Sequence, residues 1–232
     1  MPPESPPPGT VRHPSIAERR QGRGAPSPWP ITARTETRRG RLREVGARLF
    51  ATRGVDRVSM LEVAFTAEVS PYAIRAAYLR RQDLVFDILH AFVDALHEYV
   101  GAADDAHEGA LPEVRLEAMV AALLDGIHDH RDAQQVMRAV FPTLPESDRE
   151  ALQYQLRMLA YRLRAPLVGA LPALQHAPTL VGPLVQGIMA MAGHAPDWLK
   201  RDGAITRQTY ARMIVSATLG AGRTMVTDRE SD

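Results

Sequence analysis

A chain of 232 residues, 45% hydrophobic and 24% charged, has the make-up of a soluble globular protein with room for one or two domains. Its lack of cysteine excludes a disulfide framework, a thiolate nucleophile and a cysteine redox sensor. The net charge of +1 hides an asymmetry, since residues 1–90 carry 15 basic and 9 acidic side chains while residues 91–232 carry 13 and 18.

A basic part ahead of an acidic one fits a nucleic-acid surface followed by a body that does not bind it. No apolar run approaches the ~20 residues that span a bilayer. The Pro-rich start lacks the apolar core of a signal peptide, so a cytoplasmic location without membrane contact is expected.

Residues 1–34 hold nine prolines and scattered arginines, among them Arg12, Arg19, Arg20 and Arg23. Too little apolar surface accompanies them to offset the entropy of ordering, and a disordered arm is expected. From about Thr35 to Arg53, Leu42, Val45, Gly46, Leu49 and Phe50 recur at i, i+3, i+4, i+7 and i+8, one face of an amphipathic helix that Gly54 ends. Ser59 followed by Glu62 is a capping-box pattern that opens a short helix with Leu61, Val63, Ala64 and Ala67 as its apolar content. Ser70-Pro71 marks a second start, with Ile74, Ala77 and Tyr78 as the stripe behind it. Two helices this short, joined by a few residues, predict a helix-turn-helix. A long helix follows from about Asp83 to Ala102, with a linker over residues 101–112. Beyond it the helical period persists over roughly 113–129, 132–141, 147–170, 180–193 and 206–225, with a second capping box expected at Ser147/Glu150. The fold class is all-α.

From Arg38 to Leu89 the chain resembles the N-terminal domain of TetR-type transcriptional repressors. The residues that carry the likeness are Leu42, Val45, Leu49, Phe50, Gly54, Ser59, Val63, Ala64, Ala67, Val69, Ser70, Ile74, Tyr78, Arg81, Asp83 and Leu84. The resemblance implies three parts: an arm over 1–34, a three-helix helix-turn-helix DNA-binding domain over 35–82, and a helical ligand-binding and dimerisation bundle over 83–232. It implies that Pro71, Tyr72, Ala73 and Arg75 reach the major groove, with Arg75 suited to bidentate pairing with guanine. Arg38, Ser59, Ser70, Tyr78 and Arg81 complete the expected DNA-binding set, Arg38, Ser59, Ser70 and Arg81 as phosphate contacts. The chain departs from the family at Glu68, where the turn usually has glycine, and at Tyr72, Arg75, Ala77 and Arg80. A left-handed Glu68 costs about 1–2 kcal/mol and places a negative charge near phosphate.

In the bundle Met119, Leu123, Met137, Phe141, Tyr154, Met158, Tyr161 and Met189 are candidates for a ligand cavity, with Ile127 and Val140 beside them. Ordinary core packing explains a methionine stripe equally well. An inward-turned Arg157, Arg162 or Arg164 would favour an anionic ligand. Asp125, His128, Asp129, His130 and Asp132 are the one dense run of metal-capable residues, but no distant ligand pairs with them, and neither a metal nor a cofactor is expected. Excess apolar surface on the helix around Leu184, Ile188 and Met191 and on the last helix (Tyr210, Met213, Ile214, Ala217, Ala221) predicts a homodimer through these two helices.

The expectation is therefore a ligand-responsive regulator, a repressor, that binds a palindromic site on double-stranded DNA as a homodimer and answers to an unknown small-molecule effector. The alternative is an all-α homodimer that binds a ligand or protein partner and no longer reads DNA, for which Glu68, Ala77 and Arg80 speak. No GxSxG elbow, HExxH pair or convincing acid pair supports an enzyme.

Overall fold

The computed structural model describes residues 33–199 and 203–231. The expected arm lies outside the described residues save for its last two positions, which are already helical. The chain divides into two compact units, 1–40 and 41–232. Of the first, the described part is the opening of helix α1 (Ala33–Arg53). The described residues contain helices and turns and no strand.

In the second unit, α1 buries Leu42, Val45, Ala47 and Phe50. Gly46 brings it close to the long helix α4 (Arg81–Ala106), since a Cβ there would stand 3.1 Å from Ile88 Cδ1 and 3.3 Å from Leu84 Cδ2. Between them lie α2 (Met60–Thr66) and α3 (Pro71–Ala77), packed on each other. Elements of two turns cannot hold themselves together, so their stability comes from burial and capping. Val58, Val63, Ala64 and Ile74 have no exposed surface, and Ala67 and Tyr78 very little. Leu61 is not part of this core; it is exposed, because it sits off the Val63/Ala64/Ala67 register.

α4 starts at Arg81 rather than Asp83, because the Asp83 carboxylate accepts the Arg80 backbone N–H at 2.9 Å and so caps the helix from its third position. It also runs four residues past Ala102, which shortens the expected linker to residues 107–111. The bundle is organised on α5 (Pro112–Asp129), which packs on α4, on α8 (Arg164–Ala170), on α9 (Pro178–His194) and on α10 (Arg207–Ser231). Leu116, Met119, Val120, Leu123, Leu124 and Ile127 form its buried face. Gly126 lets α4 approach: an added Cβ would lie 2.9 Å from Leu96 Cδ2.

α6 (Arg131–Val140) and α7 (Glu146–Arg162) complete the bundle. The single helix expected over 147–170 is two, α7 and α8, broken at Leu163. Pro166 explains the break, because it lacks the N–H that would bond back to Arg162. The Ser147/Glu150 capping box does not form. α7 begins at Glu146 behind Pro145, and the Ser147 hydroxyl faces Asp148 Oδ1 at 3.4 Å.

Candidate nucleic-acid interface and cavity

The helix-turn-helix is built by three local devices. Ser59 Oγ accepts the Glu62 N–H at 3.1 Å and opens α2. Only this half of the expected box is used, as the Glu62 carboxylate pairs with Arg53. The turn after α2 closes in a Schellman motif: Val69 N–H donates to Ala64 O at 2.9 Å and Glu68 N–H to Phe65 O at 3.1 Å. Glu68 therefore adopts the left-handed conformation, φ 55°, the one described non-glycine residue to do so. That strain costs about 1 kcal/mol or somewhat more. Arg41 answers its charge with an ion pair at 2.9 Å, so the carboxylate does not stand alone. Finally Ser70 Oγ accepts the Ala73 N–H at 3.2 Å, with Pro71 at the first position of α3.

These devices orient α3 so that Ile74 points inward while Pro71, Tyr72, Arg75 and Ala76 are exposed, Tyr72 by 83%. Ala73 is half-buried. Arg75 makes no ion pair among the described residues, which leaves its guanidinium available. Ser59 and Ser70 are exposed, and each hydroxyl that accepts an N–H retains its own proton to donate. Arg38 is exposed on the part of α1 that belongs to the first unit.

One expected contact is employed within the fold, and another is only loosely engaged there. Tyr78 is 4% exposed, and its hydroxyl donates to Asp87 Oδ2 at 2.5 Å, so it ties α3 to α4 and does not face a ligand. Arg43 stands 3.6 Å from the same carboxylate. Arg81 Nη1 lies 3.6 Å from Asp56 Oδ1 and donates to the Asp56 carbonyl at 3.3 Å. Asp56 is fully exposed, and a pair of that length contributes little. Phe65 and Leu79, 69% and 92% exposed, were not expected on this surface.

A cavity of about 600 Å³ opens between α4, α5, α6, α7 and α9. Leu123, Ile127, Met137, Phe141 and Met189 line it, as do Phe92, Leu96 and Leu156, whose apolar character alone does not distinguish cavity from core. Met119, one turn before the equally buried Leu123, does not line it and packs in the core. Tyr154, Met158 and Tyr161 also lie outside it: they are 42%, 42% and 61% exposed, because the face of α7 that meets the cavity is Gln153, Leu156, Arg157 and Ala160. Arg138 reaches the cavity with Asp197 as its partner, and this guanidinium holds the Asp197 carboxyl below the usual carboxylate range. Arg157 lines the cavity, whereas Arg164 stacks on Tyr161 at 5.5 Å and Arg162 lies against Gly101.

The acidic run at the end of α5 is dispersed. Asp125 pairs with Arg207, and Asp129 accepts the Tyr99 hydroxyl at 2.6 Å, a bond that raises the tyrosine's pKa. Among the described residues no three metal-capable side chains converge. In the last two helices Leu184, Ile188 and Ile214 of the expected stripe are buried within this one chain, and Met191 and Tyr210 are half-buried. Met213, Ala217 and Ala221 remain exposed.

No family model matches the sequence, and no curated protein matches it either. Solved structures do match. A TetR-family transcriptional regulator from Bordetella parapertussis 12822 is 25% identical, covers 78% of this chain and 93% of its own, and superimposes with a TM-score of 0.67. The ketosteroid transcriptional regulator KstR2 of Mycobacterium tuberculosis is 20% identical over 79% of this chain and 94% of its own, TM-score 0.63. AibR, solved in complex with isovaleryl coenzyme A and operator DNA, is 20% identical over 78% and 97%, TM-score 0.62.

Proposed function

We propose that this chain, whose fold is that of TetR-family transcriptional regulators, represses transcription as a homodimer whose hold on a palindromic site is set by a small molecule in the bundle. The observation that carries the reading is Arg75, without an ion pair among the described residues, beside Tyr72 on the exposed edge of α3, with Ile74 and Tyr78 anchoring that helix from behind. A guanidinium so placed can pair with O6 and N7 of guanine, while Ser59, Ser70, Arg38 and Arg81 act on phosphates. Glu68, the residue most awkward for DNA binding, is offset by Arg41.

The same helices serve both sites. Phe92 and Leu96 line the cavity on α4, whose first turns carry Leu84 and Ile88 against Gly46 of α1. A ligand that shifts α4 by a fraction of a turn moves the reading helix with it, and a coupling of about 1–3 kcal/mol suffices for regulation. That AibR was solved with both a thioester and operator DNA supports a single chain of this fold accommodating the two. For the dimer, the support is the thin outward face of α9 and α10, where Gly182, Gly187 and Gly220 have open space before them and Met213 is 51% exposed. Two copies joined there would present two reading helices to half-sites about one helical turn apart.

A gel shift with the DNA upstream of its own coding sequence tests the reading. Salt-dependent binding to a palindrome, with two chains per site, is expected. Flat titrations at every salt concentration, from protein that is folded and dimeric, favour instead a bundle that binds a ligand and has ceased to read DNA.

A further inference from the structure

We propose that the bundle cavity selects an amphipathic anion, an apolar body laid between the helices with a carboxylate held by Arg157. The inference rests on the reading of the chain as ligand-responsive and adds the chemical class of the effector. A volume of about 600 Å³ lies within the usual range for ligand sites. The inner wall is formed by Phe92, Leu96, Leu123, Ile127, Leu156 and Met189, which offer a ligand no hydrogen bond.

The polar part of the lining consists of two arginines and three glutamines, with no carboxylate among them. These groups are unequal. Arg138 already has Asp197 as its counter-ion, and the Gln134 amide donates to Gly193 O at 3.0 Å. Arg157 makes no ion pair among the described residues. It sits one turn beyond Gln153 on the face of α7 that forms the wall, with Gln186 of α9 also at the rim. A cation here meets like charge, and a neutral molecule leaves the guanidinium as it was. An anion supplies the absent counter-charge, and a carboxylate matches the fork of the guanidinium with two parallel hydrogen bonds. Because Arg157 is exposed, the gain is that of a charge-assisted hydrogen bond in contact with water, about tenfold in affinity.

The full chain is titrated calorimetrically with dodecanoate, dodecan-1-ol and dodecyltrimethylammonium. The acid is expected to bind about tenfold more tightly than the alcohol, and the cation least. Arg157→Gln brings acid and alcohol to parity by weakening the acid alone, and Arg157→Lys restores part of the difference; circular dichroism checks that both variants are folded. Equal binding of acid and alcohol to the native protein, an unchanged preference in Arg157→Gln, or no binding of any of the three overturns the proposal. Gel shifts on the same samples keep the two readings apart. Arg157-dependent binding of dodecanoate that leaves DNA affinity untouched supports the ligand class while removing the regulatory role.

Discussion

The helix-turn-helix and the bundle use their residues in opposite ways. In the first, two helices of seven residues each are held by a few local devices: Val63, Ala64 and Ile74 fill the core, a serine caps each helix, and Glu68 carries the turn between them. In the second, helices of up to 26 residues hold one another by length of contact and leave about 600 Å³ unfilled. Short elements owe their form to local chemistry, so the proposed reading role falls to exposed side chains that take no part in it, Arg75 and Tyr72 among them. Long elements owe theirs to packing, so the proposed ligand site is a volume that the packing does not occupy.

Truncation of the core separates the two regions most strongly. Ile74→Ala is expected to cost about 2–5 kcal/mol in urea denaturation, whereas Met189→Ala falls at the low end of that range, since Met189 is half-buried at the cavity and gives up fewer contacts. The reverse order would mean that the head is the more plastic region. Next comes Arg75→Ala, which should remove about 1–3 kcal/mol of discrimination at one base pair in a panel of operator variants, with little change for unrelated DNA. A uniform loss over the panel would instead make Arg75 a phosphate contact.

Tyr78→Phe deletes one hydrogen bond and should lower stability by about 1 kcal/mol while the folded protein keeps its DNA affinity. Lost affinity at unchanged folding would return Tyr78 to the DNA face. The smallest effect is expected from Glu68→Gly: the turn relaxes by about 1 kcal/mol, and the exposed pair with Arg41 gives back up to about the same. Stability therefore moves little, but the released Arg41 should steepen the salt dependence of DNA binding, read from gel shifts between low and moderate salt.

This contrast also explains what could be read from sequence. Caps and turns are local, and so Ser59, Ser70-Pro71, the end of α1 at Gly54 and the strain at Glu68 were visible as residue types in order. Which side of a long amphipathic helix meets which neighbour is not local. Met119 and Leu123 are four apart on α5, yet Leu123 reaches the cavity and Met119 stays in the core. Tyr154, Met158 and Tyr161 share a stripe on α7 that the packing turns outward, and the adjoining stripe carries Arg157. Pairings across the fold were equally out of reach: nothing in the order of residues joins Tyr78 to Asp87, or Glu62 to Arg53 in preference to its own cap.

One bond between distant parts of the chain constrains how the head can move. Gln135 Nε2 on α6 donates to the Ala51 carbonyl near the end of α1 at 3.1 Å. A body carried on a single rod is free to twist about it. A second tether placed off that rod opposes the twist. Gln134 and Arg138 on the same short helix border the cavity, so under the proposed function a ligand there would touch the helix that holds this tether as well as the rod itself.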